Sequence, residues 1–174
     1  MVQIGAVLID LEGQARVEDS LNVLVLPKDR FGALCELDPY FVALTGITNE
    51  RLRAEGVGIA AALEALDRFS RGSRLWSWGK DELFALGVSC FVQGVQPSIP
   101  ANRFGNLKSV FQKASMSEHD IATTNSASLS SFFGVETGLL REHDALDDAF
   151  SLSAAVLHQL DCAKISPADL FSGA

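Results

Sequence analysis

The sequence has no pair of cysteines at metal-binding spacing. Cys35, Cys90 and Cys162 are odd in number, far apart and without a CxxC pair. That argues against a disulfide framework or a zinc site and fits reduced thiols in a cytoplasm. Long apolar runs are missing too. The longest, Ile4–Ile9 and Val23–Leu26, fall far short of the ~20 residues that a membrane helix needs. Residues 1–10 lack a basic stretch, so no secretory signal is expected. Positive charge is scarce: 14 Lys and Arg face 22 Asp and Glu, a net charge of −8. Taken alone, this argues against a non-specific nucleic-acid binder, because phosphate contact favours a basic face. It does not exclude a nuclease, whose carboxylates add negative charge that bound cations offset locally. No internal repeat or linker divides the 174 residues. A single domain over residues 1–174 is expected, with the tail from about residue 165 loosely held.

The apolar pattern then sets out the elements. Ile4–Ile9 reads as a buried strand, Glu12-Gly13-Gln14 as a turn, and Leu21–Leu26 as a second strand forming a hairpin with the first. Pro39–Leu44 reads as a short helix closed by Gly46, and Thr48 caps a further helix at Arg51–Ala54. Helices are expected at Ile59–Phe69, Glu82–Val92, Leu107–Ala114 and Asp144–Leu160, with a strand at Leu75–Trp78. The Ser- and Thr-rich stretch Thr123–Ser131 is read as capping a helix that runs to Phe133. Hairpin, helices, strand and helices in that order make an α/β domain with helices packed on a sheet.

The last long helix carries the clearest chemical signal. On a helical wheel Ala145, Ala149, Leu152 and Val156 form an apolar stripe with Asp148 at its edge, while Asp144 and Asp147 turn toward solvent. A carboxylate beside a buried face is costly unless it is paired or binds a cation. An acidic first turn that complements the helix dipole is the alternative. His143 precedes the helix, and by itself is as compatible with a capping role as with that of a base.

His143-Asp144-Ala145-Leu146-Asp147-Asp148-Ala149 resembles the third motif of the DEDDh 3'–5' exonucleases, which have a ribonuclease H-like fold. Four further segments resemble the family in its own order: Gln3-Ile4-Gly5-Ala6-Val7, where the family has EIGAV; Leu44-Thr45-Gly46-Ile47-Thr48; Trp76-Ser77-Trp78-Gly79-Lys80-Asp81; and Asn106-Leu107-Lys108. The resemblance implies a ribonuclease H-like mixed sheet flanked by helices. It also implies that His143 is the general base, Asp148 a metal ligand, and Asp81 a support for a second metal through water. The implied cofactor is a pair of Mg²⁺ or Mn²⁺ ions, and the implied partners are single-stranded DNA or RNA 3' ends. A homodimer lies within what the family allows. A neutral imidazole titrates near working pH, which suits proton abstraction. Lys80, beside Asp81, is a candidate phosphate contact. Trp76 and Trp78 read either as a base-stacking platform or, given the strand-like alternation, with at least one of them in the core.

The family's first motif, an Asp-x-Glu on a strand preceding EIGAV, has no counterpart. Asp10-Leu11-Glu12 has the right letters but follows the matching strand, where Glu12-Gly13 marks a turn, so both acids are read as turn residues. In this fold the missing strand is the middle of the sheet and supplies two metal-binding carboxylates. Two-metal hydrolysis holds its cations about 3.5–4 Å apart, which Asp81 and Asp148 alone would do poorly. Three explanations stay open: a longer parent protein, a strand supplied by a partner, or a degenerate relative that binds without cutting. The leading expectation is a metal-dependent 3'–5' exonuclease. The alternative is a non-catalytic nucleic-acid-binding or assembly module of the same fold.

Overall fold

The computed structural model describes residues 1–171. Strand β1 (Gln3–Asp10) pairs antiparallel with β2 (Arg16–Leu24), running from Gln3 opposite Leu24 to Asp10 opposite Arg16, with a register shift between Leu8 and Ile9. The second strand begins five residues earlier than its apolar run implied. Its first half, Arg16–Ser20, is exposed and polar apart from Val17, and only the pairing with β1 makes it a strand. Glu12 lies in the hairpin bend as expected, whereas Asp10 is the last residue of β1 and not a turn residue. Asp10 accepts the Glu12 backbone N–H at 2.9 Å and pairs with Arg16 at 3.0 Å.

Helix α1 (Pro39–Thr45) starts at Asp38, whose side chain accepts the Tyr40 N–H, and stops at Gly46 in the left-handed region. Helix α2 (Asn49–Glu55) is capped by Thr48. Helix α3 (Ile59–Ser70) buries Ile59, Ala62, Leu63 and Leu66, one face at the expected spacing. Strand β3 (Leu75–Ser77) leads into α4 (Asp81–Gln93). A 3-10 turn at Ala101–Arg103 precedes β4 (Phe104–Asn106), which pairs parallel with β3. Phe104-Gly105-Asn106 is too short and too poor in β-formers to be legible as a strand; it exists because β3 is beside it.

Helices α5 (Leu107–Lys113), α6 (Glu118–Thr123) and α7 (Leu129–Phe132) follow. The Ser- and Thr-rich stretch therefore spans the end of one short helix and the start of another. Helix α8 (Ala145–Asp161) is capped by Asp144, and α9 (Pro167–Phe171) ends the described chain. Ile165 and Leu170 are buried in the cluster around Phe111 and Val156, while residues 166–169 and 171 are exposed. The remainder of the expected loose tail, 172–174, lies outside the described residues. No helix among the described residues is long and apolar enough to cross a membrane.

Three apolar clusters flank the strands, the smallest of them Leu24, Ile47 and Leu52. Of the two larger ones, one joins Ile4 and Val25 to α3 and α4; the other joins Trp78, α5, α7 and α8. The sheet itself is in two pieces, β1–β2 and β3–β4, with no strand between them among the described residues. This is the mixed α/β architecture that the sequence implied, with helices packed on the strands.

Candidate active site

The gap between the half-sheets is a slot of about 510 Å³. Gln3–Val7 of β1 line one side and Leu75–Ser77 of β3 the other. Helix α8 contributes Ala145, Asp148, Ala149, Leu152 and Ser153, and His143 and Ser126 stand at the same wall. The helix approaches β1 very closely. A Cβ built on Gly5 would lie 2.2 Å from the backbone carbon of Ala145, so only glycine fits there.

Asp148 is the electrostatic centre of the slot. Ser126 Oγ donates to its Oδ2 at 3.4 Å, while Oδ1 is buried without a hydrogen-bond partner. Burial pushes its carboxyl above the usual range, and the nearby His143 and the Ser126 hydrogen bond oppose that shift. His143 is exposed, with φ 65°, a left-handed conformation that is rare for a side-chain-bearing residue. It is held immediately before the helix cap, where Asp144 accepts the Leu146 and Asp147 N–H groups. A strained backbone that sets an imidazole beside a half-buried carboxyl is a feature of functional sites.

The other candidates are placed differently. Asp81 is exposed in the first turn of α4 and is not among the slot's lining residues; its neighbour Glu82 is. Lys80 is exposed just before α4 and does not line the slot either. Trp78 is core: the residue is 6% exposed, its Nε1 donates to the Thr124 carbonyl at 2.7 Å, and it meets Phe111 edge-on. Lys108 lies over that ring, 5.6 Å from its centre. Trp76 lines the slot with Arg74 stacked on it at 5.3 Å. Ser126 and Glu82 were not found in the sequence. Ser126 is one of many hydroxyls in its segment, and no spacing distinguishes it.

Among the described residues no group of three or more His, Cys, Asp and Glu side chains is placed to hold a metal ion. The orphaned Asp148 Oδ1 fits one ligand of a divalent cation, but a two-cation site needs carboxylates that these residues do not bring to the slot. No catalytic step is assigned to a metal pair on these residues alone.

No family model matches the chain, and no curated protein matches it. Solved structures do. The nuclease domain of 3'hExo, described as a DEDDh family member bound to rAMP, superposes with a TM-score of 0.68 at 14% identity, over 92% of this chain and 92% of that one. A full-length 3'-exonuclease gives 0.74 at 16%, over 93% of this chain and 53% of that one. Cell-death related nuclease 4 gives 0.63 at 17%, over 92% and 64%. The chain has the DEDDh exonuclease fold. Identities this low carry the DEDDh fold and nothing finer, so the chemistry of this chain rests on its own side chains.

Proposed function

We propose that this protein acts on the 3' ends of single-stranded nucleic acid as a 3'–5' exonuclease, with His143 as the general base and Asp148 as a metal-facing carboxylate. The observation that carries the reading is that His143 and Asp148 line the same slot, Asp148 keeping one buried oxygen without a partner. In this reading His143 takes the proton from the attacking water. Asp148 offers the free oxygen that a divalent cation, Mg²⁺ or Mn²⁺, would take. The remaining cation ligands come from outside the described residues. Two structural neighbours are described as bound to rAMP and as recognising a histone mRNA stem-loop at its 3' end, which supports a nucleic-acid 3' end as substrate class.

The test is a 3'-labelled and a 5'-labelled single-stranded oligonucleotide with Mg²⁺ or Mn²⁺. Stepwise shortening from the 3' end is expected, and His143→Ala abolishes it while the melting temperature holds. Undiminished cutting by that variant refutes His143 as the base.

A second reading, a nucleic-acid-binding or assembly module that does not cut, is favoured by the missing three-ligand cluster. Calorimetric titration with Mn²⁺ separates the two: two bound ions support the enzyme, none supports the module.

A further inference from the structure

Two residues before His143 stands a cation that no acid answers. Five of the arginines, Arg16, Arg51, Arg53, Arg71 and Arg103, are tied into ion pairs with carboxylates. Arg74 and Lys108 lie over the Trp76 and Trp78 rings. Arg141 is exposed, and among the described residues its guanidinium takes part in no ion pair, hydrogen bond or ring contact. Yet it is held in place. Its backbone N–H donates to Asp147 Oδ2 at 2.8 Å and its carbonyl accepts the Asp144 N–H at 3.3 Å, which fastens the main chain to the start of α8. Its guanidinium lies against Gly46, where a Cβ would collide with it. Gly46 ends α1, and the carbonyls of a helix's last turn attract a cation. That accounts for where the head group rests and still leaves its five N–H donors unused. Thr45 and Ile47, on either side of Gly46, line the slot, as does His143. The guanidinium therefore sits where the His143 wall meets the end of α1.

We propose that Arg141 is a phosphate clamp, which grips one backbone phosphate of the nucleic-acid strand beside the phosphate to be cut. This rests on reading the slot as a nuclease site. The planar fork of a guanidinium matches two oxygens of one phosphate, a geometry that the point charge of a lysine does not reproduce. Because the head group is already seated on Gly46, little side-chain freedom is lost when the phosphate arrives. A sugar or a base edge carries no charge to reward an unpaired cation, so the contact is to the backbone and indifferent to sequence. It fixes where the strand lies relative to His143, two residues along the same loop. The net charge of −8 leaves little basic surface, the usual means of holding a strand, so a single local grip carries more of the contact.

The probe is a single-stranded oligothymidine with a 5' fluorescein, bound to the full chain in EDTA so that no metal-dependent cutting occurs, and read by anisotropy over a range of salt. Arg141→Ala is expected to weaken binding about tenfold, the scale of a charge-assisted hydrogen bond. It should also lower the slope of log affinity against log salt by about 0.7, the share of one single-strand phosphate contact. Arg141→Lys keeps the slope and recovers only part of the affinity. Arg71→Ala removes the same charge from an ion-paired arginine and keeps the parent slope. Neutral methylphosphonate, placed at one linkage at a time, weakens binding most at a single linkage near the 3' end, and that linkage ceases to matter in Arg141→Ala. The melting temperature of each Arg141 variant holds, which a merely structural role would not predict alongside a changed salt slope. An unchanged slope in Arg141→Ala, an equal fall in Arg71→Ala, or no linkage whose effect vanishes with Arg141 overturns the clamp and leaves the exonuclease reading intact. No binding by the parent chain overturns both.

Discussion

Gln3 of β1 is bonded twice to the start of α8: its Nε2 donates to Asp144 Oδ1 at 3.2 Å, and its Oε1 accepts the Ala145 backbone N–H at 3.1 Å. The same Nε2 also donates to Asn22 on β2 at 3.0 Å. Because Asp144 caps α8, the amide ties the hairpin, the cap and the residue after His143 into one unit. This explains a departure noted in the sequence, Gln3 at a position where the resembling family carries Glu. A carboxylate could still accept from Ala145 but could not donate to Asp144, and it would set two negative groups side by side.

Gln3→Ala removes all three bonds and is expected to cost about 1–2 kcal/mol, the scale of a lost cap and its linking hydrogen bond. For a chain of this size that lowers Tm by about 2–8 °C. Gln3→Glu should also destabilise, and more strongly at pH 7 than at pH 4, where protonation restores a donor. Thermal melts at the two pH values check this; equal losses at both would show that the donor to Asp144 is unimportant.

Gly5→Ala is expected to be among the most damaging single substitutions in the chain. The added methyl would sit 2.2 Å from backbone atoms of Ala145 and Leu146, and backbone cannot swing aside as a side-chain tip can. Either α8 lifts from β1 or β1 bows, and the penalty is of the order of 3 kcal/mol or more. Urea unfolding reads the loss. Because α8 carries Asp148, nucleic-acid binding should fall in the folded fraction as well.

These contacts mark how much of the molecule was legible in the sequence. Periodicity and caps located β1, α1, α2, α3, α4, α5 and α8 because each buries one face or ends on Gly46, Thr48 or Asp144, signals local to the chain. Strand β4 was not legible, since Phe104–Asn106 is a strand only through its pairing with β3. In the site, His143 and Asp148 came from one motif at the start of α8 and line the same slot. Asp81 belongs to another element, and its position relative to the slot depends on how α4 sits on the sheet, which no local pattern encodes. The wheel of α8 also assumed that buried means apolar. The helix in fact buries Ser151, Ser153 and Gln159, and the hydroxyl-rich segment before it docks on Ser151.

Ser151 tests that docking. Its Oγ donates to the Ala127 carbonyl at 2.9 Å and accepts the Ser130 backbone N–H at 3.1 Å, with Ser130 Oγ 3.0 Å away. Ser151 and Ser130 are almost wholly buried, so no water replaces what is removed. Ser151→Ala leaves the Ser130 N–H without its acceptor and is expected to cost about 1–3 kcal/mol. Ser153→Ala, on the other hand, removes only a bond to the Ala149 carbonyl of its own helix and should cost less. Denaturant midpoints of the two variants, compared side by side, decide whether the segment is held from α8.

The last prediction concerns pH. Burial raises the Asp148 carboxyl above the value it has in the unfolded chain. Between those two values the folded state holds a proton that the unfolded state has released, so stability falls as pH rises through that window. Above the folded value the ionised carboxyl costs a constant amount; below the unfolded value the cost is gone. Asp148→Asn, which cannot ionise, is therefore expected to melt higher than the parent at pH 7 in metal-free buffer. Each ~1 kcal/mol relieved corresponds to about 2–4 °C for a chain of this size. The gap should close as pH is lowered toward 4, and Mn²⁺ should narrow it from the other side by giving the free Oδ1 a partner. A gap that stays constant from pH 4 to pH 8 would show that Asp148 is not the strained group this site is built around.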